Sequence, residues 1–195
     1  LPPLFFLGGM QEASQAQKRE FDWHAFAAFK KLPVIALSIV GFIFFLIVVG
    51  SNQLVNPFLQ QKFNISLSTA GLFTTIWGVG VVGGSALGGY TKNKFGNQKS
   101  TVTAVIIALL SITALAFTSN LLLAWVLVPL FGICYGTVQT VYYALSMEYT
   151  DPRIAATMFS ILMAVTNIGQ GVGLGLTGFL SDQVGFANTF IIMGL

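Results

Sequence analysis

The sequence predicts an all-α integral membrane fold, and three observations carry that prediction. Of 195 residues, 55% are hydrophobic and 8% charged, where an ordinary soluble domain carries about 25% charged. The charges are clustered: none lies in 32–61, 63–91, 100–147, 154–181 or 183–195. Four of these stretches reach or exceed the roughly 20 apolar residues that cross a bilayer, and the longest has room for two crossings. Finally, lysine and arginine fall between the apolar stretches with a strong bias to alternate gaps.

Taken in order, residues 1–10 (LPPLFFLGGM) have the composition of the tail of a preceding transmembrane helix. Residues 11–32 form a polar linker in which Trp23, Phe26 and Phe29 recur at three-residue spacing beside Lys30 and Lys31. Such aromatics suit a short interfacial helix or a loop with aromatic anchors. Residues 33–195 are expected to be the transmembrane bundle, with spans at about 33–57, 67–90, 101–118, 121–147 and 153–180 and a truncated one at 186–195. Asn56-Pro57, Thr118-Ser119-Asn120 and Thr150-Asp151-Pro152 punctuate these spans as turn residues do. The chain is expected to be a piece of a longer protein, cut inside its last helix.

The most distinctive stretch is Leu72–Ser100, a glycine-rich apolar helix running into a basic turn. Gly80, Gly84 and Gly88 sit four apart on one face, where missing side chains let a neighbouring backbone approach closely. Gly169, Gly171, Gly173 and Gly175 repeat the habit in the fifth span, which is the expected partner. Gly78-Val79-Gly80-Val81-Val82-Gly83 formally matches a dinucleotide fingerprint, but no strand precedes it and no acid follows at the required distance. A single cysteine, Cys134, and a single histidine, His24, exclude a disulfide framework and a metal-ligand cluster. No cofactor is expected. No paired carboxylate or nucleophile–histidine–acid set lies within a span, which argues against an enzyme.

Basic residues favour the cytoplasmic side of a membrane. With the linker cytoplasmic, that side holds Lys18, Arg19, Lys30, Lys31, Lys92, Lys94, Lys99 and Arg153, and the other side only Lys62. The net charge of +3 thus belongs to these loops and does not indicate nucleic acid. Gly89-x₃-Asn93-Lys94-x-Gly96 after the second span is echoed by Gly178-x₃-Asp182-Gln183-x-Gly185 after the fifth. The echo lies three spans on and on the opposite face, as an inverted three-helix repeat requires.

GGYTKNKFGNQK, MEYTDPRIAATMFSILMAVTNIGQGVG and GFLSDQVGFANTF together resemble the C-terminal half of a major facilitator superfamily transporter. The first is similar to the family's cytoplasmic motif G-x₃-D-[RK]-x-G-[RK]-[RK]: Gly89, Lys94 and Gly96 match, while Asn93 replaces the aspartate and Asn97-Gln98 the basic pair. The wording around Asp151-Pro152-Arg153 and Ala155-Ala156-Thr157 is similar to the branch that includes muropeptide and acetyl-CoA permeases. The resemblance implies a six-helix half of a twelve-helix bundle, made of three-helix inverted repeats, in a plasma or inner membrane. It also implies an N-terminal six-helix half of the same protein as partner, and a gate in which the motif's acid faces a helix end. Asn93 has no charge to set against a helix dipole, so gating through this half is expected to be looser.

With no charge inside the spans, contacts to a small-molecule substrate must come from neutral polar and aromatic groups. Tyr135, Gln139, Tyr142, Tyr143 and Ser146 follow helical periodicity as one stripe, and Asn167 and Gln170 share a face beside Met163. Each of these either lines a cavity or makes an interhelical hydrogen bond. Asn52, Gln53 and Asn56, near a water interface, suit the structural role better. Glu148, Asp151 and Arg153 form either a solvated turn or a cytoplasmic gate with Lys94. The function expected is secondary active transport of a small solute by alternating access; the alternative is a transporter-like membrane scaffold or assembly factor without transport activity.

Overall fold

The computed structural model describes residues 23–195, so the expectations for 1–10 and 11–22 lie outside the described residues. A short 3-10 helix, Trp23–Lys30, leads into α1, Leu32–Phe63, followed by α2, Leu67–Phe95, α3, Asn97–Ala116, and α4, Leu121–Glu148. Then come α5, Ala155–Val184, and a short α6, Phe186–Gly194. Among the described residues, five helices are long and apolar enough to cross a membrane, which makes this an integral, multi-pass protein. The 3-10 helix buries Ala28 and packs Phe29 on the core, so at least this end of the linker is anchored by the bundle.

Helix ends follow local chemistry. The Ser66 hydroxyl accepts from the Thr69 amide at 3.2 Å and starts α2; the Asn120 side chain accepts from the Leu123 amide at 2.8 Å and starts α4. Asn64 closes α1 in the left-handed conformation, which asparagine tolerates better than most residues. Pro57 does not end α1: the helix continues through it to Phe63, leaving the Gln53 carbonyl without its usual donor. At about 1.5 Å per residue α1 is longer than a bilayer core is thick.

The basic stretch after the glycines proves to be helix rather than turn. Lys92, Asn93 and Lys94 form the last turn of α2, where cations complement the negative end of the helix dipole. The whole connection to α3 is Gly96, at φ 80° and ψ 168°. Gly185 joins α5 to α6 with φ 81° and ψ 164°. Only glycine occupies this region readily, and any other residue would cost about 1–3 kcal/mol. Gly96 donates its amide to Lys92 and receives that of Ser100; Gly185 does the same with Ser181 and Thr189. Two turns at opposite ends of the bundle thus share one backbone design, and the sequence echo is structural.

Packing obeys the same symmetry. The tightest pairs are α2 with α4 and α1 with α5, while α3 and α6 pack on each other and on α4 and α1. Gly80, Gly84 and Gly88 are buried, and a Cβ on them would strike the carbonyls of Pro129, Ile133 and Thr137. From α4, Gly132 and Gly136 meet the carbonyls of Trp77 and Val81 in return. Gly169 and Gly173 meet those of Phe42 and Leu46 on α1, and Gly50 faces Gly173 and Thr177. The glycines of α2 and α5 therefore do not meet each other, contrary to the sequence expectation. Gly171 and Gly175 are exposed, and a Cβ on either would have no neighbour within 4 Å, because a four-residue step from Gly169 passes them by.

Each pair is fastened by one threonine. The Thr137 hydroxyl lies 3.0 Å from the Gly84 carbonyl and 2.8 Å from that of Ile133. Thr177 lies 3.2 Å from the Gly50 carbonyl and 2.8 Å from that of Gly173. Interhelical hydrogen bonds of this kind average about 0.6 kcal/mol, so close packing contributes more than they do. Gly84→Ala is expected to destabilise the bundle by about 1–3 kcal/mol, as overpacking does. Gly83→Ala, whose methyl has nothing within 4 Å, is expected to be neutral or slightly stabilising. Thermal melts of the two purified variants in detergent make the comparison, and equal melting points would contradict the glycine seam.

Candidate functional site

The polar stripe of α4 is assembled around Phe45 of α1, which is fully buried. Tyr143 stacks on that ring at 6.3 Å, and Tyr142 and Tyr135 meet it edge-on at 5.5 and 6.4 Å. Gln139 holds the stripe together by donating its amide to the hydroxyls of Tyr135 at 3.1 Å and Tyr143 at 3.2 Å. Both acceptors are one helical turn away, which fixes the carboxamide between them. Tyr143 also meets Phe159 of α5 edge-on at 6.3 Å, so residues of three helices converge at its ring.

Tyr142 departs from its expected place. It is buried, its hydroxyl rests over Gly41 of α1 with no hydrogen-bond partner, and any side chain at Gly41 would collide with it. The residue fills the α1–α4 contact rather than an opening. Ser146 likewise turns inward, donating to the Tyr142 carbonyl at 2.9 Å. Asn167 and Gln170 stand apart on an outward face of α5, joined by one hydrogen bond of 3.4 Å, and do not meet the α4 stripe.

A second polar place adjoins the first. Asn52, Gln53, Asn56, Thr74 and Trp77 line a cavity of about 100 Å³ between α1, α2 and α4. Asn56 donates to the Thr74 hydroxyl at 2.7 Å and so ties α1 to α2. Trp77 packs against Tyr135 at 5.3 Å, and its ring N–H is buried without a partner. Sequence reading misses Trp77; the one signal for it is its three-residue spacing from Thr74, which puts both on one side of α2.

The charges gather at one end. Lys92 and Glu148 form an ion pair of 3.2 Å linking the ends of α2 and α4. Lys94, the expected partner of this cluster, lies instead over the rings of Tyr90 and Phe95, at 5.6 and 5.3 Å from their centroids. The reason is register: Lys92 is the next step after Gly80, Gly84 and Gly88 on the face toward α4, and Lys94 is two residues off it. Asn93 is exposed, and Gly89 faces away from neighbouring helices.

The sequence profile of the Major Facilitator Superfamily matches residues 12–195. The chain belongs to this superfamily. The match covers nearly the whole chain and specifies no branch within the superfamily. Comparison with curated proteins and with solved structures gave no match. As a major facilitator chain it is a membrane transport protein, and its helix pairs, α2–α4 and α1–α5, are the symmetry-related contacts between the two three-helix repeats of half a bundle.

In this superfamily member the turn between α4 and α5 is stiffened by Asp151, which accepts from the Arg153 guanidinium at 2.9 and 3.1 Å and from its backbone amide at 3.0 Å. Those bonds, the side-chain one first, hold the Asp151 carboxyl down at about 2 against an ordinary 3.8, with Lys31 at the start of α1 adding a smaller pull. A depressed carboxyl stabilises the fold above its unfolded value and loses that contribution as pH falls through the folded one. The melting-point gap between the native protein and Asp151→Asn is therefore expected to close between about pH 5 and about pH 2. A gap that stays constant across that range would contradict the pairing.

The Lys92–Glu148 pair offers a separate check. Because Glu148 is about half exposed, the pair contributes on the order of 0–1 kcal/mol. Lys92→Glu is expected to lower the melting point slightly, and the reversed double variant, Lys92→Glu with Glu148→Lys, to restore it. Failure of the double variant to recover would show that the two charges act independently.

Proposed function

We propose that this chain is the C-terminal six-helix half of a secondary active transporter that moves a small solute by alternating access, working with an N-terminal half of the same protein. The observation that carries the proposal is the Tyr135–Gln139–Tyr143 array, a neutral hydrogen-bonding and aromatic surface along the second half of α4. Polar groups at that depth need a partner that lipid cannot supply. Gln139 retains an acceptor oxygen after donating to both hydroxyls, and Tyr143 remains partly exposed, so a passing solute can be held by both. Trp77 extends the surface through its contact with Tyr135, and Asn167 and Gln170 offer a second, separate polar face on α5.

The superfamily assignment supports transport in general, and the lack of charge within the spans of this half supports a finer point. A coupling ion or charged substrate would be balanced by the other half, while this half supplies orientation and shape. The helix pairs locked by glycine, α2–α4 and α1–α5, suit a half that moves as a body. On this reading the basic end is cytoplasmic, and the Lys92–Glu148 and Asp151–Arg153 pairs brace the inward-facing rim.

Uptake by the full-length protein in proteoliposomes tests the proposal. Gln139→Ala and Asn167→Ala are expected to lower uptake, Gln139→Ala by about tenfold, the equivalent of one well-placed hydrogen bond to the solute. Tyr142→Phe removes only a hydroxyl without a partner and is expected to leave uptake near that of the native protein. Unchanged uptake in the first two variants would overturn the site. Correctly folded protein that drives no solute under any ion gradient would favour a scaffold instead.

A further inference from the structure

A groove of about 330 Å³ opens between the end of α2, the first three turns of α3 and Thr137 of α4, with Phe95, Ala104 and Ile107 along it and Thr91 and Thr103 on its sides. It lies beside the solute site's helices but shares none of the residues proposed to bind solute. Lys99 stands at its mouth, and Lys94 sits over the Phe95 ring at 5.3 Å. Of the four hydroxyls lining the groove, three are already used: Thr91 donates to the Gly88 carbonyl at 3.2 Å, Ser100 to the Thr91 carbonyl at 2.8 Å, and Thr137 toward Gly84 and Ile133. A groove walled mainly by apolar atoms, with three of its four hydroxyls turned to backbone carbonyls, holds water poorly. It suits a hydrocarbon chain.

The mouth has the opposite character. Between Lys62 and Glu148 the only charged residues are Lys92, Lys94 and Lys99. Glu148 is engaged with Lys92, so Lys99 on the groove's lining and Lys94, over the Phe95 ring that forms part of its wall, are two positive charges with no acid among the lining residues. The first turn of α3 opens at Gly96, which has no side chain to cap it, and the positive end of that helix dipole points the same way. From Lys99 to Ile107 the groove descends about two helical turns, or roughly 12 Å, into the apolar zone.

We infer that this groove binds one anionic phospholipid, its phosphate between Lys94 and Lys99 and the upper part of an acyl chain against Phe95, Ala104 and Ile107. Free phosphate would leave the apolar wall unused, and a zwitterionic lipid would bring a cation beside two lysines. Recognition therefore requires both parts of one molecule, negative head and hydrocarbon tail. The basic end of the bundle is also the end at which an anionic leaflet attracts lysines.

The test uses the purified full chain and native mass spectrometry, with phosphatidylglycerol and phosphatidylcholine of identical acyl chains supplied at equal concentration. The native protein is expected to retain phosphatidylglycerol about fivefold or more over phosphatidylcholine, since each lysine near an anionic headgroup contributes roughly that factor. Lys94→Glu with Lys99→Glu is expected to abolish the preference, and Lys62→Glu, at the other end, to leave it intact. Thr103→Trp, which intrudes on the groove from an exposed position, is expected to reduce retention of both lipids. No preference in the native protein overturns the inference without relying on any variant's folding, as does a preference that survives the double charge reversal. Displacement of the lipid by equimolar glycerol 3-phosphate also overturns it, by showing that the phosphate alone is read.

Discussion

Backbone carbonyls of one helix resting on the glycines of its neighbour are the contact on which the rest of this structure depends. On α2 the missing side chains of Gly80, Gly84 and Gly88 admit the carbonyls of Pro129, Ile133 and Thr137, and Gly132 and Gly136 return the arrangement from α4. On the other arm Gly169, Gly173 and Gly50 do the same between α5 and α1. Lipid offers no hydrophobic drive for helices to associate, so closeness of approach and the dispersion contacts it permits hold the pairs together. Thr137 and Thr177 add hydrogen bonds that two helices can form only at this distance.

That contact also sets what faces what. Once Gly132 and Gly136 are turned toward α2, helical geometry leaves Tyr135, Tyr142 and Tyr143 to meet α1, where Phe45 receives the three rings. Gln139 is then confined between two hydroxyls, and Tyr142 is pressed onto Gly41, where its own hydroxyl finds no partner. A stripe uniform in sequence thus divides into a buried packing member and a hydrogen-bonded set, Tyr135, Gln139 and Tyr143. The same register carries Lys92 to Glu148 and sends Lys94 to the opposite side, over Tyr90 and Phe95. One spacing rule, four residues per step along α2, accounts for the tight seam and for the ion pair at its end.

Much of the fold is legible in the sequence because its determinants are local. Charge-free stretches mark the helices to within a few residues, the Thr118-Ser119-Asn120 turn marks the start of α4, and the paired Gly96 and Gly185 announce a repeat. The departures share a cause. Lys92–Lys94 reads as a turn since charge usually marks a membrane exit, yet a long flexible amine lets a helix continue past the apolar zone. Pro57 reads as a terminus although its helix has enough packing on both sides to continue through it. Trp77 carries almost no local signal, because its importance lies in meeting Tyr135 from another helix.

By itself the sequence determined that the chain is a multi-pass helical membrane protein, where its apolar helices run, and that it repeats itself in inverted form. These follow from composition and from a backbone that must satisfy its own hydrogen bonds in lipid. Only the tertiary structure decided the partners: that α2 meets α4 rather than α5, that Gly171 and Gly175 lie off the seam, that Lys92 and not Lys94 pairs with Glu148, and that Tyr142 is buried. Pairing of this kind is a relation between distant segments, governed by which two surfaces fit most closely. Periodicity within one helix specifies a face but not its neighbour.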